Sequence, residues 1–171
     1  MSRKKEDLLT TAERLFYQHG FHAIGLKAIV QEAGIALMTL YNHFDSKEAL
    51  ILEILKRREE AYFSLLEETV EQETGPIEER LALGHLRWLQ NSTSNGCMFL
   101  RAKEEFGSEP EQLIVQKVLA HKENLQRFFA AYNIAPADAI RLALLFEGAT
   151  ALAEISQMEQ VEEAMLSMVH Q

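Results

Sequence analysis

The eleven residues GIALMTLYNHF, Gly34 to Phe44, gather a hydroxyl at Thr39, a phenol at Tyr41, an amide at Asn42 and an imidazole at His43. Hydroxyl and imidazole hydrogens donate to an anionic oxygen without bringing a full charge, and Lys47 just beyond adds a donor that does. Such a set suits holding a phosphate oxygen better than making or breaking a bond. Patterns for catalysis are missing: there is no nucleophile elbow, Walker loop, dinucleotide-binding glycine run or HExxH segment. The histidines at 19, 22, 43, 85, 121 and 170 are scattered rather than set at metal-ligand spacing, so neither zinc nor a hydrolytic triad is expected. We expect no enzyme, no metal and no cofactor.

The elements that must present these groups follow from local pattern. In LKAIVQEAG, Ile29, Val30 and Ala33 form an apolar face, and Gly34 permits a sharp turn. Ile35, Leu40 and Phe44 return to the same core. Leu37, Met38, Thr39, Tyr41, Asn42 and His43 are left around the exposed side and leading end of a helix of one or two turns. A helix of that kind fits the DNA major groove, with its N-terminal residues nearest the base edges. Two other roles stay open: Tyr41 as a partly buried packing residue, and His43 as a cap on its helix's last carbonyls.

Around this segment the sequence reads as all-α. No period-2 run of β-branched residues occurs. Helices are expected near 4–19, 26–33, 37–43, 46–72, 76–92, 97–105, 109–132, 136–156 and 159–169. The first carries Leu8, Ala12, Leu15 and Phe16 on one face and stops at Gly20. The prolines, at 76, 110 and 136, each stand where a helix begins, the place where a missing N–H costs least. Ser108 with Glu111 fits a capping box.

Composition divides the chain. Residues 1–50 hold six Lys/Arg and six Asp/Glu, so the net charge of −9 resides entirely in the remaining 121 residues. That asymmetry suggests two parts with different partners: residues 1–46 for DNA and 47–171 for other work. A single cysteine, Cys97, excludes an internal disulfide and suits a reducing cytoplasm. The N-terminal stretch lacks the apolar core of a signal peptide, and no apolar run is long enough for a membrane span.

The collinear set A-x-x-L-F at 12–16, Gly20, I-x-x-x-A-G-I at 29–35, T-L-Y-x-H-F at 39–44 and S-K-E at 46–48 resembles the DNA-binding domain of the TetR family of transcriptional regulators. The resemblance covers residues 9–50. It implies phosphate contacts by Thr39, Tyr41, His43 and Lys47, base reading by Lys27, Leu37 and Met38, and a place for Asn42 on the same surface. Arg3, Lys4 and Lys5 would form an arm able to reach DNA, or a solubilising tail. Two positions depart from the family pattern: Ala36 replaces a capping Ser or Thr, and Gly25 stands near another such cap. An alanine there typically costs about 1 kcal/mol of helix stability. A polar or basic residue is also common where Leu37 stands.

The resemblance further implies that the acidic remainder binds a small effector and forms a homodimer on a pseudo-palindromic operator. Residues 139–157 are apolar around most of the helix. Leu145, Gly148, Ala149, Leu152, Met165 and Met168 are the expected interface. For an effector, His85, Trp88, Met98, Phe99, Phe106, Phe128 and Phe146 are candidates, with core packing as the alternative for each. The Arg101, Lys103, Glu104, Glu105 cluster reads as a solvated face; Arg87 or Arg101 could instead meet an anionic ligand. The expected function is a repressor released by its effector. An activator, a regulator working through protein partners, and an all-α carrier or interaction module are the rivals.

Overall fold

The computed structural model describes residues 3–91, 96–108 and 112–169, and all regular structure among them is helical. In chain order these are α1 (Arg3–His19), α2 (Leu26–Glu32), α3 (Leu37–Tyr41), α4 (Lys47–Gln72), α5 (Ile77–Asn91), α6 (Met98–Phe106), α7 (Leu113–Ala131), α8 (Pro136–Leu152) and α9 (Met158–Val169). None is long and apolar enough to cross a membrane. Pro110, Glu111 and His170 lie outside the described residues, and with them the expected 108–111 capping box.

Local chemistry explains the boundaries. Leu8, Leu9, Ala12 and Phe16 recur at helical spacing along α1 and are fully buried or nearly so. Helix α2 ends in a Schellman motif: Gly34 takes φ +65°, its N–H donates to Gln31 O and the Ile35 N–H to Val30 O. Helix α4 opens with Ser46 as its cap, the hydroxyl accepting from the Ala49 N–H at 3.1 Å. Helix α8 starts with Pro136 in its first turn. By contrast, Gly25 before α2 and Ala36 before α3 supply no side-chain cap.

The chain forms two compact units. The first comprises residues 1–58 and 98–118, the second 59–97 and 119–171, so α4 and α7 each run from one unit into the other. Leu50, Ile51, Ile54 and Leu55 of α4 belong to the first unit and are fully buried. So do Met98, Phe99, Ala102 and Phe106 of α6, which are also buried. The second unit closes around Leu66 of α4, Leu81 and Leu86 of α5, Phe129 of α7, Leu142 and Phe146 of α8, and Val161 and Met165 of α9. Burying each such large apolar side chain stabilises its unit by about 1.5–3 kcal/mol.

Candidate nucleic-acid interface

Helix α3 is only five residues long, and its two faces differ sharply. Leu40 is fully buried and Phe44 nearly so. Met38 is 70% exposed and Tyr41 46%; Asn42, His43 and, on α2, Lys27 are exposed as well, while Leu37 and Thr39 are half-buried. Backbone bonds from His43 N and Phe44 N to Leu40 O close the helix end, so its last polar side chains are set by a tight turn. The segment thus offers a phenol, an amide and an imidazole to solvent beside an exposed thioether. It is held from below by two apolar anchors.

Lys47 differs from the rest of this set. Its ammonium lies 5.7 Å from the centre of the Phe16 ring, a cation–π arrangement that keeps it partly covered. Burial lowers its pKa, while Glu48 and Glu105 act to raise it. Residues 3–5 form the first turn of α1 rather than an extended arm, and the Lys5 ammonium sits 5.3 Å from the Phe44 ring centre.

Sequence reasoning missed what fixes the first turn behind this surface. Helix α1 ends at Gly20, with φ +91° and its N–H bonded to Phe16 O. That cap leaves the next two amides without a carbonyl in α1. Both go to α6: the Phe21 N–H donates to Glu105 Oε1 at 2.9 Å and the His22 N–H to Glu105 Oε2 at 2.6 Å. One helical turn earlier, Arg101 donates to Tyr17 O at 2.6 Å. The His22 Nε2–H donates to the Glu105 carbonyl oxygen at 2.7 Å, since a carbonyl can only accept, and the ring stands 4.6 Å from that of Phe106. The cluster at 101–105 is therefore not simply a solvated face. Arg101 and Glu105 apply charges of opposite sign where α1 leaves a carbonyl and the following turn leaves amides. Gly20 belongs to the same fit, because a Cβ there would stand 2.8 Å from Glu105 Oε1.

The residues expected to enclose an effector fall into both units. Met98, Phe99 and Phe106 are buried in the first, where Phe106 packs against Phe21 at 5.9 Å. His85, Trp88, Phe128 and Phe146 are in the second. There His85 stacks on Phe146, 4.2 Å between ring centres. Its Nε2–H donates to Phe146 O at 3.0 Å, which leaves Nδ1 to accept from the Tyr62 hydroxyl at 2.8 Å. The Thr150 hydroxyl donates to the same Phe146 oxygen. Burial pushes the His85 pKa down to about 3 and that of Tyr62 well up. Trp88 packs on Tyr62 and Phe128 on Phe63. Nearby on α4 and α7, buried Glu59 accepts from His121 Nδ1 and Asn124 Nδ2 at 3.0 and 3.1 Å. Arg87 is not held out for an anion: it pairs with Glu73.

Of the six residues expected at a dimer interface, Ala149 and Met165 are buried in the second unit's core. Leu145 packs against that core from a half-buried position, and Gly148, Leu152 and Met168 are exposed. Ile140, Leu144 and Ile155, which were not anticipated, share that exposure; Leu144 is 69% accessible.

Comparison with known proteins agrees with this geometry. Residues 8–54 match the profile of the bacterial regulatory proteins of the tetR family. The HTH-type transcriptional repressor NemR of Escherichia coli K12 is 30% identical over 105 residues, 59% of this chain and 53% of its own length. The HTH-type transcriptional regulator UidR of the same strain is 39% identical over 64 residues, 37% and 33% of the two chains. The match thus spans about half the length of the first relative and a third of the second. Over almost the whole fold, the crystal structure of SCO4454, a TetR-family transcriptional regulator from Streptomyces coelicolor, superposes with a TM-score of 0.88 at 27% identity, covering 99% of this chain and 87% of that one. The chain thus carries the helix-turn-helix segment of the tetR-family regulatory proteins in its first three helices and shares the fold of a TetR-family transcriptional regulator over almost its whole length.

Proposed function

We propose that the protein is a cytoplasmic, homodimeric repressor that binds a pseudo-palindromic operator and is released from it by a small-molecule effector, without enzymatic activity of its own. The observation that carries the DNA reading is α3. Its exposed Met38, Tyr41, Asn42 and His43 surround a helix anchored from below by buried Leu40 and Phe44. In this reading residues 1–46 are the DNA-binding domain and 47–171 the effector and dimerisation domain. Met38, Leu37 and Lys27 face the bases, while Tyr41, Thr39, His43 and Lys47 face phosphates. A second copy covers the apolar surface of Leu144, Leu152, Ile155 and Met168. Two such copies bring two recognition helices to successive half-sites.

Effector release needs only that the effector prefer the arrangement of recognition helices that fits DNA less well; DNA then weakens effector binding by the same factor. Helix α4 suits the link, because it begins beside α3 at Lys47 and runs without interruption to Gln72. The effector surface would draw on His85, Trp88, Phe128 and Phe146, all in the second unit.

Titrating a duplex from immediately upstream of the protein's own coding sequence across a salt series tests the DNA reading. Each charged phosphate contact contributes about −0.9 to the slope of log K against log salt. Lys47→Ala should flatten the slope by about that amount per contact. Tyr41→Phe, which deletes an uncharged donor, should lower affinity with the slope intact. Unchanged slope and affinity in both variants would remove these residues from the interface.

A further inference from the structure

We infer that Glu105 is a positioning residue for operator binding: from α6 it fixes the turn after α1 and thereby the stance of α2 and α3 toward DNA. The inference rests on the DNA-binding reading above and goes beyond it, since Glu105 sits on a helix outside the DNA-binding segment of the sequence.

Helices α2 and α3 have seven and five residues, and neither has a side-chain cap at its start. Helices this short do not hold themselves in water. At Gly25, which precedes α2, there is open space where a side chain would begin, so no side chain there helps to fix the entry to α2. The nearest rigid attachment upstream is the turn at Phe21 and His22. There both backbone amides point at one carboxylate, bonds of the charge-assisted kind that are short and strongly directional. Three neighbouring contacts complete the grip: Arg101 on Tyr17 O, the His22 imidazole on the Glu105 carbonyl, and Phe106 against the fully buried Phe21. With α1 closed by Gly20 and α6 joined to its end at Tyr17, Phe21 and His22, the direction in which the chain departs toward α2 is set by α6 as much as by α1.

The sign of the effect separates positioning from electrostatics. Glu105 also bears a negative charge close enough to act on Lys47. If charge alone mattered, removing it would make the DNA-facing surface more positive and tighten binding. Positioning predicts the opposite. Glu105→Gln keeps the side chain's size but replaces one carboxylate oxygen by an amide that cannot accept. It should weaken binding of the upstream duplex by roughly tenfold, a typical coupling between distant groups, with the salt slope unchanged because no phosphate contact is lost. Glu104→Gln, which removes an equal charge at the exposed neighbouring position, should bind as well as the parent or slightly better.

Nuclear magnetic resonance supplies a readout that needs no DNA: the Phe21 and His22 amide proton resonances should move upfield in Glu105→Gln as their charged acceptor is lost. Should that variant fail to fold, Glu105→Asp replaces it; shorter by one methylene, it keeps the charge but cannot reach both amides, and the same loss of affinity is expected. Binding by the Glu105 variants as tight as that of Glu104→Gln would overturn the inference, as would a lowered melting temperature with unaltered affinity in the folded range. A parent protein with no salt-dependent affinity for the duplex would count against the DNA reading itself, whereas unmoved amide resonances count against the role of Glu105 alone.

Discussion

Acidification should cost the second unit stability through one side chain, His85. Its ring is enclosed between the Tyr62 hydroxyl and Phe146, and burial holds its pKa near 3 where an unconstrained histidine titrates at 6.5. Because the folded value is the lower one, the unfolded chain takes up a proton between those limits that the folded chain refuses. The contribution to stability is therefore complete above about pH 6.5 and declines as the pH falls toward 3. Each pH unit below 6.5 removes about 1.4 kcal/mol, so roughly 2 kcal/mol is gone by about pH 5, and the full interval is worth on the order of 5 kcal/mol. Urea unfolding at fixed protein concentration, at about pH 7.5 and about pH 5, measures the loss by linear extrapolation. Carboxylates contribute to the same slope, so the comparison is with Tyr62→Phe/His85→Phe, which keeps a ring against Phe146 and leaves no orphaned hydroxyl. The double variant should lose about 2 kcal/mol less than the parent over that range. Equal losses in the two proteins would refute the assignment of a neutral, proton-refusing histidine.

Two further outcomes follow from local geometry. Ala36 holds φ −75° and ψ 145°, the extended conformation of a helix cap, yet has no side-chain acceptor to offer; Ala36→Ser should stabilise the protein by about 1 kcal/mol in urea unfolding, as a restored cap does. Leu144 is 69% exposed on α8; Leu144→Glu should leave the helical circular dichroism intact and shift the sedimentation coefficient to that of a monomer, and a variant that remains dimeric would place the dimer contact elsewhere.

How far the sequence discloses such features depends on the distance over which they are encoded. Helices α1 to α3 are written in short-range pattern: Leu8, Ala12 and Phe16 one turn apart, Gly34 at the turn, Leu40 and Phe44 as the anchors of a five-residue helix. Each of these is a constraint among residues fewer than ten apart, and each is visible without coordinates. The outward face of α8 is not. Its residues are apolar around most of the helix, so little periodic contrast separates buried Ala149 from exposed Gly148 or Leu152. Only the neighbours Val161 and Met165 of α9, and the helices α4, α5 and α7, decide which side is covered. Glu105 lies further still from legibility. In the sequence it is one carboxylate in a run of mixed charge; its meaning comes from two amides more than eighty residues earlier. Those amides are available because Gly20 closes α1 with a single bond and leaves the following N–H groups to find acceptors. A glycine cap marks where a helix ends, but not who satisfies the turn beyond it. Any buried or half-buried turn with that cap must have an acceptor somewhere. In a chain whose first unit is completed by residues 98–118, the place to seek it is among the acids of α6, and of those only Glu105 is half-buried rather than exposed.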